Sequence, residues 1–204
     1  WRIAVTTFEH AMVGITGVLA AGLHRRTGWQ IGALAGIAAA APDRDGVPIV
    51  ISVTAFTEMH RVWGHNVWAG VACGLMNGAL DYRWDVVTRA ARWAARHLPL
   101  KMDAVPLQVR HEFDARGLRT WLLVAALAAL SHLPADAFVS GAAHLTDWEI
   151  QPFWTVSDQG WVYPLVPCGD VGMTVIFAAG MFALVRWPSS VQRLAGLSLL
   201  LVAL

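Results

Sequence analysis

Histidine and carboxylate side chains gather in short polar clusters within a chain that is otherwise apolar. Together with one Gln/Pro/aromatic stretch, the clusters are Glu9-His10, Pro42-Asp43-Arg44-Asp45, His60-Arg61 with His65, Ser131-His132 with Asp136, and Gln151-Pro152-Phe153-Trp154. Each lies at or near the end of an apolar segment. Imidazoles and carboxylates bind divalent metals, and ionisable groups are costly in a lipid-facing sequence unless they are used. The clusters therefore indicate metal chemistry.

Two of the clusters contain paired candidates. His132 and Asp136 are four residues apart, which places both on one face of a helix as a two-ligand pair. A hydrogen-bonded packing pair is the alternative. Asp43 and Asp45 follow Pro42, where an irregular turn can present both carboxylates to one ion. The alternative there is a solvated turn that caps the next element.

The remaining candidates are single residues or residues that a regular helix would separate. His60 and His65 are five apart, so they converge only if the first precedes a helix and the second lies in its first turn. Arg61 beside them suits a phosphate or a developing oxyanion, because its guanidinium binds such groups bidentately. Interfacial anchoring is the alternative for this pair and for His10. His144 lies outside any motif and is a weaker candidate.

The clusters supply up to four imidazoles and three carboxylates. This donor set is sufficient for two metal ions, or for one ion with a base and supporting groups. Nitrogen and oxygen donors without a thiolate favour zinc, with manganese or iron as alternatives. An ion of this kind lowers the pKa of a bound water and so generates a hydroxide nucleophile near neutral pH.

Composition indicates which elements hold these groups in place. Of 204 residues, 56% are hydrophobic and only 14% are charged, with a mean hydropathy of +0.50. Soluble domains carry about 25% charged residues. We therefore expect an all-α fold, a multi-pass integral membrane helical bundle forming a single domain over residues 1–204. The net charge of +1 argues against a nucleic-acid partner.

About six apolar segments are predicted to cross the lipid bilayer, each approaching the roughly 20 residues that a spanning helix needs. They cover residues 6–23, 29–41, 62–80, 118–133, 171–187 and 191 onward. Residues 47–56 are apolar but bounded by Pro48 and Glu58, so they are either re-entrant or interfacial. Abundant Gly and Ala in the first two segments suit close helix packing in lipid.

The distribution of basic residues orients these segments. Lys and Arg concentrate in three alternate connections, including a basic loop at about 81–117, whereas residues 120–185 contain none. The basic side is therefore predicted to be cytoplasmic, which places all the polar clusters and a loop at about 134–170 on the outer side. Trp148, Trp154 and Trp161 of that loop are expected to form an interfacial belt; the alternative is a surface for a lipid-like substrate.

The order of the motifs resembles a known family. An early Glu-His, then Pro-Asp-x-Asp, His-Arg-x-x-x-His, Ser-His-x-x-x-Asp and a Pro/aromatic stretch, spread over residues 7–154, are similar to the bacterial inner-membrane predicted metal-dependent hydrolases, whose best-known members are LexA-regulated. The resemblance implies a multi-pass helical fold and a metal-centred hydrolytic site. The chain departs from the family pattern in having Gly46 where a His is usual, and Gly64-His65-Asn66 where Thr-His-Ser is usual.

Two hypotheses follow. The first is a metal-dependent hydrolase of the bacterial plasma membrane that acts on a phosphoester or ester of a lipid or envelope-type small molecule at the outer face. Its predicted metal ligands are His10, Asp45, His60, His65, His132 and Asp136, with Asp43 as ligand or base and Arg61 as substrate clamp. The second is a non-catalytic accessory subunit of a larger membrane complex, whose clusters hold a structural metal or a tetrapyrrole. A hydrolase requires an open metal position, whereas a structural site is closed by protein ligands.

Overall fold

A computed structural model describes residues 7–99, 114–139, 149–163, 165–166 and 170–204, except for the side chains of residues 57 and 58. His144, Trp148 and part of the predicted basic loop lie outside these ranges. The described elements, in chain order, are α1 (Thr7–Ala20), α2 (His24–Thr27), α3 (Gln30–Ala39), the 3-10 helix η1 (Pro42–Val50), α4 (Val53–Met59), α5 (Val67–Trp84), α6 (Val86–His97), α7 (Ala115–Leu130), α8 (His132–Phe138), α9 (Val171–Arg186), the 3-10 helix η2 (Pro188–Ser190) and α10 (Val191–Ala203).

The described chain is helical, as predicted, and each of the six apolar segments coincides with a helix. Extended pairing within these residues is limited to two isolated bridges, Val139 with Val166 and Ile150 with Trp161. By length and composition, the continuous stretch Ala115–Phe138 is long and apolar enough to cross a membrane. Helices α9 and α10 pass the same test only as a pair, and they are bent by 114° at Trp187. Six crossings remain a prediction from the charge pattern.

Small residues allow the central helices to approach closely. A Cβ atom at Gly14 of α1 would lie 2.4 Å from the carbonyl oxygen of Ala35 in α3. A Cβ atom at Gly74 of α5 would lie 2.5 Å from the Cα atom of Ala126 in α7. Only glycine permits this backbone separation, which is typical of helix packing in lipid. The first contact joins α1 to α3 and the second joins α5 to α7, and α3 packs against α7 to complete the core.

The predicted basic loop contains a helix. Asp85 adopts a left-handed conformation (φ 46°) and ends α5, and α6 then starts at once and runs to His97. Arg89, Arg92 and Arg96 fall on one side, and Val87 on the opposite side is buried, so the segment has the period of an amphipathic helix. The buried carboxylate of Asp81 accepts hydrogen bonds from the backbone nitrogen of Val87 and from Nε1 of Trp121, which fixes the start of α6 against α7.

One further range, about 134–170, was expected to be a loop, and another, residues 47–56, was left open. The predicted outer loop begins only after α8, which carries the helix from His132 on to Phe138. The open range 47–56 contains the end of η1 and the first half of α4, joined by Ile51 and Ser52. Ser52 starts α4 by accepting a hydrogen bond from the backbone nitrogen of Ala55.

Candidate metal centre

Four parts of the chain meet at one point: the first turn of α1, the first turn of η1, the residues just before α5, and α8. They bring together all eight predicted site residues, which are His10, Asp43, Asp45, His60, Arg61, His65, His132 and Asp136. Six of these eight are buried, and Asp43 and Asp45 are half-buried. The cluster is thus a buried polar centre inside an apolar protein.

Two imidazoles face each other at the middle of this centre. The Nε2 atoms of His65 and His132 are 3.0 Å apart. The other nitrogen of each ring, Nδ1, faces away from this pair. Nδ1 of His65 lies 2.9 Å from Oδ2 of Asp45, and Nδ1 of His132 lies 2.7 Å from the carbonyl oxygen of Ala39. A carbonyl oxygen only accepts, so Nδ1 of His132 carries a proton, and in the neutral ring its Nε2 atom presents a lone pair.

The carboxylates of Asp43 and Asp136 both face the two Nε2 atoms. Oδ2 of Asp136 lies 3.0 Å from Nε2 of His65 and 3.6 Å from Nε2 of His132. Oδ1 of Asp43 lies 3.4 Å from Nε2 of His132 and 3.8 Å from Nε2 of His65. The second oxygen of Asp43 accepts a hydrogen bond from the Thr7 hydroxyl at 3.0 Å. Burial alone would raise the pKa of Asp43, but the hydrogen bond and charge of His132 hold it below its usual range.

These four donor atoms fit a tetrahedral ion. The five separations above range from 3.0 to 3.8 Å. Donors bound to zinc at about 2.0–2.1 Å in a tetrahedron stand about 3.3–3.4 Å from one another. His65, His132 and Asp136 form the buried face, and Asp43, with 17% of its side chain exposed, is the accessible member. The residues present therefore fit a divalent metal.

Asp45 and His60 lie behind His65. Besides His65, the carboxylate of Asp45 accepts a hydrogen bond from the backbone nitrogen of Gly64 at 2.8 Å and lies 2.7 Å from Nδ1 of His60. Burial alone would raise the pKa of Asp45; the bonds from His60, His65 and Gly64 hold it well below its usual range. The ring of His60 also stacks on Phe56. Asp45 was predicted as a ligand, but both its oxygens are engaged in this way.

His10 and Arg61 both approach the other oxygen of Asp136. Nε2 of His10 lies 3.1 Å from Oδ1 of Asp136, and a guanidinium nitrogen of Arg61 lies 3.6 Å from the same atom. The His10 ring stacks on His132 with centroids 3.6 Å apart. Arg61 is 2% exposed and adopts a left-handed conformation (φ 68°). A substrate clamp has to reach solvent or lipid, whereas this guanidinium is turned inward toward the carboxylate of Asp136.

Six of the donors form two groups that share no residue. The ligand atoms of His10, His132 and Asp136 lie within 4.8 Å of one another, and so do those of Asp43, His60 and His65. Each group is a possible metal-binding set by proximity. The tetrahedron described above takes two members from each group. One ion at the junction of the two groups would use the donors that face inward from both.

The departures from the resembling family's pattern have structural causes. A Cβ atom at Gly64 would lie 2.3 Å from the carbonyl oxygen of Pro42, so a threonine does not fit there. Asn66 is the N-cap of α5: its side chain accepts from the backbone nitrogen of Ala69 and donates to the carbonyls of Val62 and Trp63. At Gly46 a Cβ atom would lie 3.3 Å from Nδ1 of His60, so a histidine there would adjoin this ring.

The remaining polar clusters support the centre from outside. Glu9 is buried and accepts a hydrogen bond from Thr174 of α9. The carbonyl oxygen of Pro152 accepts from the backbone nitrogen of Val67, the first residue of α5. Trp154 packs against Trp63 with ring centroids 5.2 Å apart. The Gln151–Trp154 stretch therefore packs beside the ligand-bearing segment and places no ligand at the centre.

The fold and the centre define a class: apolar helical proteins with a buried histidine–aspartate cluster at one end of the bundle. The chain belongs to the family of YdjM inner membrane proteins, whose family model matches residues 5–204. The expected place in a bacterial inner membrane is confirmed at the level of this family. No curated protein and no solved structure matches the chain.

Proposed function

We propose that this chain is a metal-dependent hydrolase of the inner membrane, acting on a phosphoester or other ester of a lipid or envelope-type molecule. One observation carries the proposal. Two imidazole Nε2 atoms face each other at 3.0 Å while their Nδ1 atoms are engaged by Asp45 and Ala39. Two lone pairs at that distance repel unless a cation or a proton lies between them, and two carboxylates add further negative charge.

The outer partners of the four donors support a metal site. A ligand histidine usually gives its second nitrogen to a carboxylate or a backbone carbonyl, and ligand carboxylates are themselves hydrogen-bonded. His65 and His132 follow the first pattern through Asp45 and Ala39. Asp43 follows the second through Thr7, and Asp136 lies close to His10 and Arg61. Zinc suits this nitrogen and oxygen donor set best.

The chemistry follows from the unequal exposure of the donors. In this function Asp43 leaves the fourth position open, and a divalent ion held by the other three donors would supply a bound water with a pKa of about 7. His65, His132 and Asp136 are the buried holding groups. Asp43 lies at the accessible edge, where its carboxylate can accept a proton from water and pass it to a leaving group. Arg61 and His10 keep Asp136 in place.

The proposal includes six crossings, with the centre at the outer face. It is supported by the concentration of Arg in the connections opposite the centre, such as Arg25 and Arg26 after α1 and Arg89 in α6. Single cysteines placed at residue 26 and at residue 158 in a cysteine-free chain would be labelled with a membrane-impermeant maleimide in intact spheroplasts. Labelling at 158 and protection at 26 is expected, and the reverse pattern would overturn the orientation.

A second candidate is a non-catalytic subunit with a structural metal, favoured by one observation. Four protein donors complete the tetrahedron once Asp43 is included, and structural sites are closed in this way. The 3.0 Å separation of the Nε2 atoms has room for one ion but not for the plane of a tetrapyrrole between the rings. The structural alternative is therefore a metal rather than a haem-like group.

Cobalt substitution separates the two candidates. The purified chain loaded with Co²⁺ would be titrated with inorganic phosphate while its visible absorption is recorded, and its hydrolysis of bis(4-nitrophenyl) phosphate would be measured. For a hydrolase, phosphate changes the cobalt bands, and Asp43→Asn abolishes turnover while the ion is retained by three ligands. Cobalt absorption bands that do not change when phosphate is added, together with loss of the ion in Asp43→Asn, would establish a closed structural site.

A further inference from the structure

An apolar crevice of about 290 Å³ lies between α1, α7 and α10. Gly17 and Val18 of α1, Val124 and Leu127 of α7, and Leu199 of α10 line its walls. A Cβ atom at Gly17 would meet no atom within 4 Å, so this glycine leaves open space rather than a backbone contact. The crevice is a cavity that the helix packing leaves unfilled.

One end of the crevice adjoins the metal centre. Ser131, which precedes the ligand His132, lines it, and so does Val13, three residues after His10. A helical turn rises about 5.4 Å, so this end is within about one turn of His10 and of the proposed ligand His132. The crevice then follows α1 to Ala21, a further eight residues or about 12 Å of helix.

The crevice is accessible from the lipid side. Leu127 at its rim is 66% exposed, and it lies on the stretch Ala115–Phe138 that is long and apolar enough to span a membrane. In an inner-membrane protein such a rim faces hydrocarbon. An α-helix with its side chains is about 10–12 Å wide, so the crevice is too narrow for a helix of another chain but suits an extended hydrocarbon chain.

We propose that the crevice binds the hydrocarbon chain of a membrane amphiphile whose polar head group lies at the metal centre. This inference rests on the proposed hydrolase and names its substrate class: a single-chain or double-chain lipid ester that enters sideways from the bilayer. One chain lies along α1 and α7, and the ester or phosphoester then stands within about one helical turn of His10 and His132.

Photo-cross-linking tests the crevice without relying on turnover. The chain is reconstituted in nanodiscs containing phosphatidylglycerol with a diazirine in its acyl chain, irradiated and digested, and the labelled peptides are identified by mass spectrometry. The variant Gly17→Leu fills the crevice without a backbone clash. The matched control is Gly196→Leu on α10, where a Cβ atom also meets no atom within 4 Å but which does not line the crevice.

In the parent chain, label is expected on the α1 and α7 residues that line the crevice. Gly17→Leu should reduce this labelling about tenfold, while Gly196→Leu should leave it unchanged and both variants should keep the metal content of the parent. Labelling that spreads evenly over the outward helix faces, or that is unchanged in Gly17→Leu, would overturn the proposal. Cross-links from these residues to a second copy would also overturn it.

If the crevice proposal is wrong, the experiments give a different result from the one expected if the hydrolase proposal is wrong. Hydrolysis of a long-chain phosphodiester that Gly17→Leu lowers, with hydrolysis of bis(4-nitrophenyl) phosphate unchanged, supports both. Equal loss, or no loss, with both substrates overturns the crevice alone. Selective cross-linking without hydrolysis of any ester overturns the hydrolase and leaves a lipid site beside a structural metal.

Discussion

Oδ2 of Asp45 lies 2.9 Å from Nδ1 of His65, on the side of the imidazole ring away from His132. Because the same oxygen also accepts the backbone N–H of Gly64 at 2.8 Å, Asp45 ties the ring to the segment that carries it. A carboxylate in this position orients a ligand histidine and increases its basicity. At the proposed metal site we therefore expect Asp45 to act through His65 rather than by direct ligation.

Asp45→Asn should weaken zinc binding by about 10-fold to 100-fold without abolishing it, the usual effect of losing such an outer partner. The measurement is competition with a chromophoric chelator in detergent. Asp158→Asn, a neutralisation at an exposed site, is the matched control and should bind zinc like the parent. Complete loss of zinc in Asp45→Asn would instead make Asp45 a direct ligand.

The facing histidines should be the least replaceable residues of the centre. His65→Ala and His132→Ala each remove one of the two Nε2 donors, so each should lower zinc content after gel filtration well below that of the parent. His97→Ala makes the same substitution at the exposed end of α6, so it is the matched control and should leave zinc content unaltered. Full zinc occupancy in both site variants would contradict the proposed ligand set.

Arg61 distinguishes a group that positions a ligand from one that binds substrate. Its guanidinium faces Asp136, so Arg61→Gln should weaken zinc binding and Arg61→Lys should restore part of it. If turnover is detected, the KM for an anionic ester should change little once zinc is saturating. A raised KM with unchanged zinc affinity would support the sequence-based prediction of a substrate clamp.

Gly64 is expected to tolerate no side chain. A methyl group there would meet the carbonyl oxygen of Pro42 and the carboxylate of Asp45, and relief of such overpacking costs about 1–3 kcal/mol. Gly64→Ala should lower both the thermal unfolding midpoint and the zinc affinity. Gly196→Ala, a glycine in open space, should lower neither. A Gly64→Ala chain with parental stability would show that the segment before α5 shifts freely.

Asp81 should affect folding but not the metal. Its buried carboxylate accepts from Trp121 and Val87, and loss of a buried acceptor leaves a donor unsatisfied at about 1–3 kcal/mol. Asp81→Leu should therefore lower the thermal unfolding midpoint, while zinc affinity measured below that midpoint stays the same. A fall in zinc affinity of the size expected for Asp45→Asn would show that the metal centre depends on the hydrogen bonds of Asp81.

The helices were predictable because their apolar runs are bounded by recognisable residues. Pro42 ends the second run, Asn66 caps α5 and Asp114 caps α7, accepting from Gly117. Helix α6 was missed because its arginines were counted as loop charge, although their three- and four-residue spacing has helical period. The buried role of Asp81 left no signal, since a single aspartate near a helix end is ordinary.

The site was predictable as a set of residues, but not as a set of roles. Residue type and order indicated which side chains would gather. The side of each imidazole and carboxylate that faces inward depends on tertiary packing, so the sequence did not separate Asp45 behind His65 from Asp43 in front of it. The contributions of Thr7 and of the Ala39 carbonyl were missed for the same reason, since neither belongs to a chemical motif.

The bond between His132 and the carbonyl of Ala39 joins residues 93 positions apart. During synthesis, Asp43 and His65 leave the ribosome long before His132 and Asp136, so the early half of the centre has only part of its donors. An ion that arrives then is weakly held and exchanges readily. We therefore expect acquisition of the proposed metal to be a late event in biogenesis, coupled to the docking of α7 against α3 and α5 rather than to emergence of the first ligands.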